Sequence, residues 1–277
     1  MTAILQKGEF INFLNKNKIE INTHTKARGH LGIFFKNRID VAKNLDECQS
    51  VRVMAHEYAH YIHSKIESDM AKTHGNLEIL FRSQAQDIEI IQKELYQLTL
   101  QVDKNASLKK FSDERLRLKS FIDVEEQLIK SYYPAFTRTG QFKEFEKYIK
   151  RSKARFFQKY DRIKLVSPFL RREEVYCIEN IERDFPDIPE PFVAYLRLCS
   201  YKRRRAKLSR RINKYDKYYK QPSELFARFV ESFFVDKRLA TDYAPFATER
   251  FFNLLEMGYY FELKDLFIIA NIYKLSR

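Results

Sequence analysis

Glycine and proline are scarce in this 277-residue chain, with six and seven copies. An all-β protein needs such residues at its many turns, so the scarcity favours a mostly helical fold. Cysteine is scarcer still. Cys48, Cys177 and Cys199 lie far apart, with neither a Cys-x-x-Cys pattern nor an even-numbered disulfide framework, and a reducing compartment is the default expectation. No apolar run approaches membrane-spanning length, and the first residues lack the apolar core of a signal peptide. A soluble, cytoplasmic protein without a membrane segment is expected, with export by a route that cleaves no signal left open. Acidic residues are the minority, 37 against 51 Lys and Arg, for a net charge of +14. Disorder is excluded by 44% hydrophobic and 15% aromatic residues.

What is present is His56-Glu57-Tyr58-Ala59-His60, a His-Glu-x-x-His pattern inside a segment that reads as helix. At 3.6 residues per turn, His56 and His60 project from one face, one above the other. Two imidazoles so placed can share a metal ion, with Glu57 beside them to take a proton from water. In a chain with six His, chance yields this pattern about once in a hundred such chains. Context therefore decides.

Upstream, residues 9–21 read as a short amphipathic helix leading to an alternating Ile19-Glu20-Ile21. Two apolar runs within 29–42 flank Lys36-Asn37, a hairpin turn in which Asn tolerates positive φ. Asp46, with Gln49 three residues on, offers a capping-box variant for a helix from about 47 to 68. Downstream, helices fit 77–102, 108–131, 141–163, 171–183 and 191–217, with Pro186, Pro189 and Pro191 marking a turn. Ten Lys or Arg face one acid, Asp216, between Lys202 and Lys220. That run could contact nucleic acid or an acidic partner, or form a solvated helix face. Pro222 then suits a helix start, with Phe226, Phe229, Val230, Phe233 and Phe234 as its buried stripe and Glu224, Ala227, Arg228 and Glu231 on another face. Residues 245–257 and 261–273 complete the helical set.

A zinc ion on His56 and His60 needs a third protein ligand and a fourth position for water. Glu224 is the choice: anionic, helical, and followed by the small Ala227, which would let its helix pack closely. The alternative is that Glu224 only complements its helix dipole and pairs with Arg228. His63 shares the His56 face, but seven residues span about 10 Å, too far for one ion to collect all three imidazoles. Glu231 either holds a ligand imidazole by its second nitrogen or is solvated. Tyr219, or its neighbour Tyr218, could steady the oxyanion formed when water attacks a carbonyl, and Tyr219 is preferred.

The His56–His60 motif with Ser223-Glu224-Leu225-Phe226-Ala227-Arg228-Phe229 resembles the gluzincin branch of zinc metallopeptidases. It is similar to lethal-factor-type toxin metallopeptidases and to zincin domains of phage and mobile-element proteins, and more distantly to the ImmA/IrrE family. The resemblance covers about residues 29–66 and 215–250. The gap between His60 and Glu224 is longer than usual for the branch, and the Glu-x-x-Asn run of the ImmA/IrrE type is absent. The resemblance implies a peptide substrate lying along the edge strand of the sheet, hydrolysed with Zn2+ as cofactor.

The expected architecture is α+β and predominantly helical: a zincin-like catalytic domain with a small N-terminal sheet and a long helical insertion. Its parts are 1–69, carrying the His-Glu-x-x-His helix, a basic helical insertion or cap over 70–214, and 215–277 with the third-ligand helix. The expected function is zinc-dependent hydrolysis of a protein or peptide substrate. The alternative is a basic helical protein that binds nucleic acid or a partner, with a structural or vestigial zinc site.

Overall fold

A computed structural model describes residues 5–26, 30–103, 107–135, 140–167 and 172–273. Gly29 and Arg171, at the starts of two expected elements, lie outside the described residues. The chain divides into two compact units, one made of 1–106 with 216–277 and the other of 107–215. The fold is α+β, mostly helical, with a small mixed sheet near its start.

In the first unit, α1 (Lys7–Lys16) leads to β1 (Glu20–Thr25), β2 (Gly32–Phe35) and β3 (Arg38–Ala42). The strand order is β1-β3-β2, with β1 parallel and β2 antiparallel to the central β3. The register pairs Phe35 with Arg38 across a tight turn. The turn's positive φ falls on Lys36, at 56°, and not on Asn37 as expected. The long helix α2 (Glu47–Ile66) follows, and the Asp46 carboxylate accepts the Gln49 N–H at 2.7 Å, so the cap forms where the sequence puts it.

After α3 (Met70–Thr73) and α4 (Leu77–Phe81), α5 (Ala85–Val102) buries Ile91, Leu95 and Leu98 in the core of the first unit. The expected single helix over 77–102 is thus broken, because Arg82 takes a left-handed conformation (φ 44°) at the end of α4. The separate unit therefore begins at 107, not at 70 as expected from the sequence: the apolar stripe of α5 packs with the C-terminal helices.

The second unit contains α6 (Ser107–Tyr132), α7 (Gly140–Arg151), β4 (Arg162–Ser167), β5 (Arg172–Cys177), α8 (Ile181–Asp184) and most of α9 (Glu190–Tyr219). Helices expected over 141–163 and 171–183 are only partly present, because β4 and β5 pair as an antiparallel hairpin. Its physical cause is alternation. Ile163 is buried between exposed neighbours, and Val175-Tyr176-Cys177 is β-favouring. This unit has its own core around Phe145, Phe157, Ile163 and Leu196.

Back in the first unit, α10 (Pro222–Val235) starts on Pro222 at its first turn. It is followed by α11 (Lys237–Tyr243), α12 (Pro245–Glu256) and α13 (Phe261–Ile269). Phe226, Phe229 and Phe233 are buried against Phe251, with ring centroids 6.5, 5.1 and 6.2 Å away. Each such burial stabilises by about 1.5–3 kcal/mol. Glu94 of α5 accepts the Ala247 N–H at 2.9 Å, capping the first turn of α12. These contacts hold α10 against α12, and α10 packs along α2 as well. None of the helices among the described residues is long and apolar enough to cross a membrane.

Candidate metal centre

α2 turns two faces to the centre. On one, Val53, Glu57 and Tyr61, four residues apart, lie under β2: Phe34 meets the Tyr61 ring at 5.9 Å, and Gly32 sits over Val53 and Glu57. A Cβ on Gly32 would stand 2.5 Å from Val53 Cγ1 and 2.7 Å from Glu57 Oε1. Glycine is thus what lets the edge strand approach the Glu57 carboxylate so closely. On the other face, His56 and His60 stack edge to face, with centroids 4.9 Å apart.

α10 meets that second face through Glu224 and Glu231. His56 Nε2 lies 3.5 Å from Glu224 Oε2, and His60 Nε2 lies 3.3 Å from Glu224 Oε1. One ligand atom from each of the three residues falls within 4.8 Å of the others. Small side chains permit this approach: Ala55 and Ala59 of α2 and Ala227 of α10 are fully buried. Arg228 does not pair with Glu224. It pairs with Glu231, Nη1 to Oε2 at 2.8 Å.

Glu231 is buried, not solvated, and is gripped from three sides. Arg52 donates to Oε1 at 2.9 Å, Arg228 donates to Oε2, and His56 Nδ1 lies 3.2 Å from Oε2. Burial alone would raise this carboxyl, but Arg228, His56 and Arg52 hold it down to about 2. An ionised Glu231 keeps a proton on His56 Nδ1, so Nε2 is the nitrogen turned to the shared site. Burial opposes charge on His56 itself. Glu224 and Glu231 more than offset it, and His56 is pushed up to about 9. Burial also works against an ionised Glu224, yet His56 and His60 pull it well below the usual carboxylate range.

The donor set fits zinc. Ligand atoms at about 2.0–2.1 Å from a tetrahedral ion stand about 3.3 Å from one another. Each imidazole Nε2 lies at such a distance from one Glu224 oxygen, His60 from Oε1 at 3.3 Å and His56 from Oε2 at 3.5 Å, and one atom from each residue falls within 4.8 Å of the others. Glu224 Oε2 is buried and makes no hydrogen bond, a cost of about 1–3 kcal/mol that coordination would remove. Among the described residues the group that converges is His56, His60 and Glu224, which leaves room for a fourth, non-protein ligand on a tetrahedral ion.

His63 does not join them. Fully buried, it lies 3.1 Å from Glu67 Oε2 through Nε2, and its ring packs on Phe226. Burial lowers its pKa, with Glu67 opposing. Tyr219, preferred from the sequence, points elsewhere: it is buried and its hydroxyl donates to Asp103. The phenol beside the site is that of Tyr218. The residue is 40% exposed, but its hydroxyl end is turned toward Glu224. Burial of that end and the Glu224 and Glu57 carboxylates raise its pKa well above that of an ordinary tyrosine. Sequence reasoning missed Arg52 and Gly32. Arg52 was within reach of it, since it precedes His56 by four residues and so shares its face.

No known protein family, no curated protein and no solved structure matches this chain.

Proposed function

We propose that the protein is a zinc-dependent peptidase of the gluzincin kind, with His56, His60 and Glu224 as metal ligands and Glu57 as general base. The observation that supports it most is the convergence of the two Nε2 atoms and the Glu224 carboxylate, with Glu231 fixing His56 from behind. A zinc ion held there supplies Lewis acidity, polarising a carbonyl and lowering the pKa of water to about 7. Glu57 takes the proton of the attacking water and hands it to the departing amine. The Tyr218 hydroxyl donates to the oxyanion as the carbonyl becomes tetrahedral. β2 is an edge strand that pairs only with β3 among the described residues. An extended peptide added alongside it would pass Glu57, because Gly32 brings the strand onto that carboxylate.

Two variants test the reading, with zinc content and peptide cleavage measured on each. Glu57→Gln is expected to keep stoichiometric zinc and lose cleavage. Glu224→Ala is expected to lose zinc and cleavage together. Full hydrolysis by Glu57→Gln, or undiminished zinc affinity in Glu224→Ala, would overturn it.

A further inference from the structure

The net charge of the protein is not spread over it. Residues 107–215 hold 28 Lys and Arg against 15 Asp and Glu, a net of +13 out of +14. The unit with the metal centre is therefore nearly neutral. Within the basic unit the charge is narrower still. Residues 109–119 of α6 and 202–214 of α9 carry 13 Lys and Arg against two acids, Asp113 and Glu114.

These two stretches lie side by side. α6 and α9 run antiparallel: Phe111 meets Tyr215 at 5.9 Å and Arg211 at 5.3 Å, while Phe121 meets Tyr201 at 5.4 Å. Part of the charge is used internally. Lys202 pairs with Glu126, Arg203 with Asp161, and Arg204 with Glu114 and Glu179. The rest is not. Lys109 and Lys110 on α6 and Arg205, Lys207, Arg210 and Lys214 on α9 are exposed and make no ion pair among the described residues. Lys207, Arg210 and Lys214, at spacings of three and four, form one row about 10 Å long.

We propose that this α6/α9 face docks on the phosphodiester backbone of a nucleic acid. Like charges at helical spacing destabilise the helix that carries them, and general solubility would not require them all on one unit. Along α9 the face lacks what a protein interface needs: no large apolar side chain is exposed between Lys202 and Lys214, and within 109–119 of α6 Leu116 is the one large apolar side chain exposed, whereas protein–protein contacts bury a contiguous apolar centre. A polyanion needs only cations, and a DNA duplex offers one charge per about 1.7 Å of axis. Long, flexible arms on a rigid helix pair suit contact that does not read sequence.

The test is binding of a fluorescent random-sequence DNA duplex to the full chain across a salt series. Four neutralised phosphates predict a loss of about 100-fold in affinity between 50 and 200 mM salt. Replacing Arg205, Lys207, Arg210 and Lys214 together by Gln should weaken binding and flatten the log–log salt slope by about one for each phosphate left without its cation. Circular dichroism reports that the variant is folded. Replacing Lys16, Lys43, Lys72 and Lys93 of the other unit by Gln should leave the slope unchanged. Salt-independent binding, an unaltered slope in the α9 variant, or equal displacement of the duplex by an acidic peptide of matched charge would each overturn the proposal. None of these readouts depends on peptidase activity, so the two readings fail separately.

Discussion

The His56 imidazole is fixed from both of its nitrogens, and the two contacts differ in kind. Nε2 faces Glu224 and His60, while Nδ1 is tied to a carboxylate that Arg52 and Arg228 keep ionised. Glu231→Gln keeps the shape and removes the charge. Zinc affinity, read by competition with a chromophoric chelator, is expected to fall roughly 10–100-fold, and an unchanged affinity would remove Glu231 from the site. Protons compete with zinc for Nε2. With His56 pushed up to about 9, the metal-free imidazole is protonated at neutral pH and must release that proton on binding. Glu224 and Glu231 are held low, so they stay ionised and add nothing in this range. Zinc affinity should rise about tenfold per pH unit up to about pH 9 and then level. An affinity flat from pH 6 to 8 would show that no such proton is displaced. At this scale spacing alone exposed His56, Glu57 and His60. It did not separate Tyr218 from Tyr219: adjacent helical residues point about 100° apart, and nothing local says which direction is inward.

Elements were legible where one signal dominated. The Asp46 cap, Pro222 and the 3.6-residue apolar stripe of α10 each point to a helix, and each helix forms there. The β4–β5 hairpin was not legible, since a short apolar alternation amid dense charge satisfies helix and strand patterns alike. What the pattern hides entirely is how α2 and α10 are held in line. Glu67, just past the end of α2, accepts from the Asn76 N–H at 2.9 Å and from the Thr73 hydroxyl, and meets His63. The loop so fixed presents the His74 carbonyl to the Ser223 N–H at 2.9 Å, at the head of α10 and one residue before Glu224. Gly75 sits in that loop at φ +85°, and a Cβ there would stand 2.2 Å from His63 Cε1. Gly75→Ala meets both a steric and a conformational penalty. It is expected to lose about 1–3 kcal/mol of stability, seen as a lower unfolding midpoint, and to weaken zinc binding through the displaced start of α10. A neutral Gly75→Ala would show that the loop does not set the position of Glu224.

The whole molecule joins two units with separate cores and opposite characters. One is close to neutral and gathers its aromatic residues around α10; the other is basic and closes around Phe145 and Phe157. From sequence the return of residues 215–277 to the catalytic domain rested on the match between Glu224 and the His-Glu-x-x-His motif; in the structure the returning segment is 216–277. The charge changes at 107, but periodicity does not mark a boundary there, because α5 and α6 are both long amphipathic helices. Separate cores imply separate melting, since cooperativity extends as far as a shared apolar core does. Zinc binds side chains of the first unit only, and a ligand stabilises what it binds by RT ln(1 + [L]/Kd), about 2.7 kcal/mol at a hundredfold excess over Kd. Calorimetry should therefore resolve two transitions, of which zinc raises one and leaves the other in place. Chelator should return the first to its metal-free midpoint, and Glu224→Ala should abolish the shift without moving the second. If zinc raised both transitions equally, the metal would not be confined to the α2–α10 centre or the units would not unfold separately. The Glu224→Ala scan decides between these, because a shift that survived it would place the ion elsewhere.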